Sequence, residues 1–237
     1  MSRILHDVAA IAARLTAITE RVTIDQSLLH ADDPAAAQRD LVLARVRDAA
    51  MILDLGDGMR AHRGRLPGTV ESLDINDVSD PAQNLWPPTY VGDACAPWPD
   101  FMAGRYDAVI ALALLEHVYD PAAAIANMHR ALHPGGQLFL YVPWIYRYHA
   151  PPDLMFQDYQ RLSRDGLAYL LRDFEGVMLY PIRGKFSAIA NLEKRWKTDV
   201  EAKHGAARNR ELDAKATERE NTLQASGYFV EAIRAGG

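Results

Sequence analysis

Met51-Ile52-Leu53-Asp54-Leu55-Gly56-Asp57-Gly58 decides the fold: a short apolar run, a carboxylate, and two glycines one residue apart. A run of this length reads as a buried strand, and glycines directly behind it give a turn in which backbone can approach a ligand closely. Three further stretches follow the same grammar. Val70 to Asp74 ends in Leu73-Asp74-Ile75, and Tyr90-Val91-Gly92-Asp93-Ala94 sets a second acid behind another strand. Tyr106 to Leu112 runs through Ala113 into Leu114-Leu115-Glu116-His117-Val118 and Asp120-Pro121. Continuous apolar strands separated by helical segments predict a mostly parallel sheet covered on both faces. Ligands of such sheets bind beyond the C-terminal strand ends, where these acids and glycines fall.

Working outward, Asp120-Pro121 opens a helix through Ile125, Met128 and Leu132, which Pro134-Gly135-Gly136 stops before a strand from Gln137 to Val142. A helix over Ser163 to Arg172 and strands over Val177 to Ile182 and Gly227 to Ile233 complete the C-terminal half. The glycines behind Asp54 start a short helix that Pro67-Gly68 ends. Upstream, Ile4, Val8, Ile11, Leu15, Ile18 and Val22 recur at steps of four and three, the stripe of an amphipathic helix. Asp33-Pro34 caps a second helix through Leu41, Leu43 and Val46. Residues 1–48 thus read as an N-terminal helical cap that packs on the sheet or closes its ligand site, the alternative for the stripe being a homodimer seam. Residues 49–237 read as the main domain, with a charged helical insertion over about 187–224, densest from Glu193 to Glu220.

Bulk properties exclude several classes. The chain has 237 residues, enough for one large α/β domain. Its net charge of −5 argues against a broad phosphate-binding surface, so no nucleic acid partner is expected. Cys95 is the single cysteine, so no internal disulfide forms, and a reducing cytoplasm fits. No membrane span or export signal is evident. The histidines show no HxxxH or His-carboxylate spacing on one helical face, so no metal site is expected.

In their order and spacing the four motifs resemble class I S-adenosylmethionine-dependent methyltransferases, the group that includes many bacterial small-molecule enzymes, over roughly residues 50 to 175. The resemblance implies a doubly wound α/β sheet, Rossmann-like, whose antiparallel last strand inserts between the fifth and sixth. It also implies the cofactor S-adenosylmethionine, held by Asp54, Gly56, Gly58, Asp74, Ile75, Asp93, Ala94, Leu112 and Ala113. Gly56 and Gly58 admit the ligand to the backbone, Asp74 accepts from the ribose hydroxyls, and Asp93 accepts from the adenine amino group while Ala94 donates. Ile75 covers the adenine, and Leu112 and Ala113 offer carbonyls to the methionine moiety.

The loop departs from the family in two places, Asp57 where a small residue is usual and Arg60 where a third glycine is usual. A unit charge about 4 Å from the cofactor carboxylate is worth roughly 4 kcal/mol at an effective dielectric near 20, so each departure weighs on affinity. A non-catalytic methyltransferase-like partner or scaffold protein is therefore the rival reading. A dinucleotide-binding protein shares the glycine turn and the later acid, but Gly-Asp-Gly-Met-Arg-Ala lacks its third glycine.

Methyl transfer to a hydroxyl needs alignment and a proton acceptor. His117 follows the fourth strand. His149 follows the fifth, in an aromatic stretch with Tyr146, Tyr148, Asp153, Asp158, Tyr159 and Arg161 that resembles the substrate loop of sugar- and polysaccharide-associated methyltransferases. These two are the candidate bases, and the expected acceptor is a small polar molecule such as a sugar or a natural-product intermediate, methylated on oxygen.

Overall fold

The computed structural model describes residues 7–56, 58–77, 87–150, 156–193 and 207–236. In chain order these hold the helix Val8–Glu20 (α1), the strand Thr23–Ile24 (β1) and the helix Pro34–Arg45 (α2). The strands Met51–Leu55 (β2), Thr69–Asp74 (β3), Tyr90–Val91 (β4) and Tyr106–Leu112 (β5) precede the helix Pro121–Ala131 (α3). Then come the strand Leu132–Pro143 (β6), the helix Arg164–Leu170 (α4) and the strand Phe174–Ile182 (β7). The helices Lys185–Glu193 (α5), 207–213 (α6) and Glu218–Leu223 (α7) lead to the last strand, Gly227–Arg234 (β8). Among the described residues no helix is long and apolar enough to cross a membrane.

The sheet runs β1-β7-β8-β6-β5-β2-β3-β4. β2 pairs in parallel with β3 and β5, β3 with β4, and β5 with β6. β8 lies antiparallel between β6 and β7, as the resemblance implies. Side chains alternate to the two faces, so one sheet builds two cores. Leu53, Leu55, Val109, Ala111, Leu138 and Leu140 meet Ile125 and Met128 of α3 on one face. Ile52, Ile110, Phe139 and Phe229 meet Val42 and Val46 of the second helical segment on the other. Burying each such side chain contributes about 1.5 to 3 kcal/mol, which fixes the sheet that carries the loops.

The helix starts are where the sequence puts them. Asp33 accepts from the Ala36 N–H, Asp120 from that of Ala123 and Ser163 from that of Gly166, with Pro34 and Pro121 in the first turns.

The short helix expected behind the glycines is the 3-10 helix Arg60–Arg65. Three expectations need correction. The strand expected from Tyr90 to Asp93 is only Tyr90–Val91, because Gly92 and Asp93 already turn into the loop. The strand expected from Gln137 begins at Leu132 and carries Pro134-Gly135-Gly136 as an irregularity in its pairing with β5. Finally, the apolar stripe is covered only at its end: α1 has no buried residue and Val8 is 69% exposed, while Val22 packs on the core and Arg21 holds the carbonyls of Arg172 and Phe174. Ile4 lies outside the described residues.

The charged segment does more than a solvated helical hairpin would. Asp213, 1% exposed, accepts from the N–H groups of Gly184 and Phe186, and Asn221 accepts from Lys185. Together they satisfy the first amides of α5, a capping role supplied from distant sequence.

Candidate functional site

Three backbone hydrogen bonds set the C-terminal edge of the sheet. Gly56 N–H donates to Leu73 O (3.0 Å), Gly92 N–H to Asp74 O (2.8 Å) and Ala113 N–H to Tyr141 O (2.9 Å), each tying a strand end to its neighbour as the chain turns away. Gly56 takes φ +68°. A Cβ on Gly58 would stand 2.8 Å from Leu112 Cβ, so only glycine lets this loop lie against the end of β5. Asp54 is 1% exposed and its Oδ2 accepts from the Met59 N–H (3.1 Å). It lines neither of the cavities below; it folds the glycine loop back, a role one step removed from the ligand contact expected of it.

The first cavity, about 300 Å³, is walled by Gly56, Asp74, Ile75, Asp93, Ala94 and Ala113 of the expected set, with His117 at its edge. Asp74 Oδ1 accepts from the Asn76 N–H, which points the carboxylate along the cavity rim. Asp93 accepts from the Cys95 N–H at Oδ1 and from the Tyr119 hydroxyl at Oδ2, both 2.7 Å. That bond pushes the Tyr119 phenol up to about 12. Asn127 holds the following loop by donating to the carbonyls of Ala94 and Ala96. Leu114, Val118, Tyr119, Phe156 and Tyr159 supply apolar and aromatic walls; the Leu114 to Val118 motif and the aromatic stretch with Tyr159 marked three of these in advance, and sequence reasoning missed Tyr119 and Phe156.

A second cavity of about 410 Å³ contains Gly58, Leu112 and Ala113, so the two meet at Ala113, a non-glycine residue with φ +56°. Its other walls mix Pro34, Ala35 and Ile182 with Asp33, Gln38 and Arg39 at α2 and with Tyr141, Tyr146, Arg183, Asn191 and Ser226. The N-terminal end of α2 thus borders the site. Asp57 lies outside the described residues, as do the side chain of Arg60 and residues 151–155 with Asp153.

Beside the first cavity the two candidate histidines pack edge to face, ring centroids 4.9 Å apart. Each turns a nitrogen to Glu116, which is fully buried: Oε1 stands 3.4 Å from His149 Nε2 and 3.8 Å from His117 Nε2. His117 Nδ1 donates to Gln157 O (2.9 Å), and His149 Nδ1 faces Asp158 Oδ2 at 3.1 Å. Glu116 beside Nε2, helped by Asp158, holds the His149 imidazole above its ordinary pKa despite burial. Burial pushes Asp158 up, but its bonds from Arg161 and from the His149 N–H prevail and bring it to about 2. His117 reaches the first cavity. His149 lines neither, and contacts the second through the Tyr146 ring, 5.3 Å away. Spacing along the chain gave no sign of this Glu116–His117–His149 cluster, in which one ligand atom from each residue lies within 4.8 Å of the others.

A family described as a methyltransferase domain matches residues 53–140, the span holding the glycine loop, both strand-end acids and Glu116. Ubiquinone biosynthesis O-methyltransferase of Xanthomonas oryzae pv. oryzae is 33% identical over 129 residues, 48% of this chain and 52% of that one. The protein of that name from Pseudomonas aeruginosa is 54% identical over 39 residues, 16% of this chain and 17% of its own. The chain thus spans about half or less of the curated relatives it matches. A SAM dependent methyltransferase from Archaeoglobus fulgidus shares the fold, with a TM-score of 0.51 at 14% identity over 82% of this chain and 94% of that one. Residues 53–140 thus match a methyltransferase domain, and they lie in a mostly parallel sheet with one antiparallel strand, the Rossmann-like methyltransferase fold.

Proposed function

We propose that this protein transfers a methyl group from S-adenosylmethionine to an oxygen of a small polar acceptor. The observation that carries the reading is the pair of cavities meeting at Ala113, one bordered by two strand-end carboxylates and the other by polar and aromatic side chains. The first fits an adenosine: Asp74 takes the ribose hydroxyls, Asp93 the amino group, and Ile75 covers a ring face. At the junction, Gly56, Gly58 and the carbonyls of Leu112 and Ala113 receive the methionine end. Bound there, the cofactor supplies an electrophilic methyl on sulfonium.

The second cavity holds the acceptor. Arg39, Arg183 and Asp33 set charges of both signs on its wall, and Tyr141 and Tyr146 give flat apolar faces, which suits a hydroxylated ring, whether a sugar or a natural-product intermediate. The acceptor's proton is drawn off at the Glu116–His117–His149 cluster. Oxygen as the methylated atom is supported by the names of the partial relatives, which are O-methyltransferases.

The test is transfer of a labelled methyl group from S-adenosylmethionine to a panel of hydroxylated sugars, phenols and catechols. Product labelled on oxygen supports the reading, and His149→Ala should then lower turnover by about a hundredfold to ten-thousandfold, the usual weight of proton transfer. No transfer to any member by a protein that also fails to bind the cofactor at millimolar concentration would favour the scaffold reading.

A further inference from the structure

We propose that Glu116, His117 and His149 form a binding site for one divalent transition-metal ion, zinc or a first-row neighbour, at the acceptor side of the methyl-transfer site.

Three independent features support it. First, Glu116 is 0% exposed and neither carboxylate oxygen has a hydrogen bond, so a charge sits in the interior without the donors that usually accompany it. Second, one atom from each residue lies within 4.8 Å of the others, and the His149 Nε2 to Glu116 Oε1 separation of 3.4 Å matches a tetrahedral edge for bonds of about 2.1 Å. A small inward turn of the His117 ring, now 3.8 Å from the same oxygen, completes the triad. Third, the outer nitrogens are already committed in the manner of metal-bound imidazoles. His117 Nδ1 donates to the Gln157 carbonyl, which leaves its Nε2 to face Glu116, and His149 Nδ1 lies between the Asp158 carboxylate at 3.1 Å and an Arg161 N–H at 3.5 Å.

Two imidazoles and one carboxylate suit a borderline ion; magnesium prefers an all-oxygen octahedron. Asp158 and Arg161 cancel one another, so Glu116 leaves one negative charge, and the ion plus a deprotonated acceptor brings the cluster to neutrality. The protein triad leaves the ion open positions. The His117 and His149 side chains remain 11% and 25% exposed, and His117 borders the first cavity, which gives an ion a way in. A hydroxyl bound to the ion loses its proton to water at a lower pH than the free alcohol or phenol. Its oxygen then forms the new O–CH3 bond as the S–CH3 bond breaks, and that bond's electron pair stays on sulfur. The existence of the site is independent of the methyltransferase reading; its role rests on it.

The test strips metal from the full chain with a chelator, removes the chelator, and titrates Co2+ and then Zn2+, followed by visible absorption and calorimetry. S-adenosylhomocysteine binding is measured on every sample. Expected are one ion per chain, visible cobalt bands that zinc displaces, and at least tenfold weaker uptake in Glu116→Gln, His117→Gln and His149→Ala. If a variant fails to fold, wild type and the remaining variants decide. A wild-type protein that takes up no ion, or variants that bind it as tightly as wild type, would overturn the proposal. Nucleoside binding without ion uptake rejects the metal site and spares the methyltransferase reading; ion uptake without nucleoside binding does the reverse.

Discussion

Replacing Gly58 with alanine tests the site at its tightest point. The new Cβ would stand 2.8 Å from Leu112 Cβ and 3.3 Å from the Leu112 amide N and carbonyl O. Carbon atoms rest at about 3.5 to 4.0 Å, so the loop and the strand end must part by about 1 Å. Leu112 is anchored, its Cα partnered with Tyr141 across the sheet, so the loop moves. Overpacking of this kind costs about 1 to 3 kcal/mol. If the displacement falls on the cavity junction, S-adenosylhomocysteine affinity drops by about 5- to 150-fold, at tenfold per 1.4 kcal/mol. Calorimetry on Gly58→Ala reads this directly. Gly64→Ala is the control, because a Cβ there meets nothing within 4 Å. Wild-type affinity in Gly58→Ala would mean that the glycine loop does not bound the cofactor site.

Asp93→Ala should weaken nucleoside binding by about 1 to 3 kcal/mol in the same assay, while Tyr119→Phe, which removes the hydroxyl donating to Asp93 Oδ2, leaves it within about threefold. Equal losses in both would show that Asp93 serves the loop and not the ligand. Glu71 accepts from Tyr90, Tyr106 and Arg105, and although burial raises its pKa these bonds hold it below the ordinary value. A depressed carboxyl contributes stability above its unfolded pKa of about 4.3 and loses it as pH falls through the folded value, so urea midpoints should drop below about pH 4.5. Glu71→Gln should flatten that drop; an unchanged profile would contradict the assignment. Deleting residues 1–20 should leave nucleoside affinity within about twofold, since α1 buries no side chain and lines neither cavity. A tenfold loss would show that the exposed stripe does cover the site, and a dimer that becomes a monomer would make it an association seam.

What was legible in the sequence had strong local signals. β2, β3 and β5 are buried apolar runs, and their ends carry Gly56, Asp74 and Ala113 because a parallel sheet exposes its ligand edge there. Capped helix starts were equally plain, since Asp33, Asp120 and Ser163 act within three residues. Contacts between distant segments had no such signal. β1 has two residues, too few for a pattern, and exists because β7 offers it an edge. Asp54 has the place of a ligand contact in sequence, yet its carboxylate turns inward to the Met59 amide. Periodicity showed that α1 has an apolar stripe but not what meets it. Glu116 and His149 come together only because the strand ends of β5 and β6 are neighbours, which spacing along the chain cannot express.

The central claim is that the edge formed by Gly56, Asp74, Asp93 and Ala113 binds the nucleoside of S-adenosylmethionine. Calorimetric titration of the full chain with S-adenosylhomocysteine tests it most directly. The account predicts one molecule per chain with micromolar affinity. No heat and no thermal shift at millimolar ligand would contradict it.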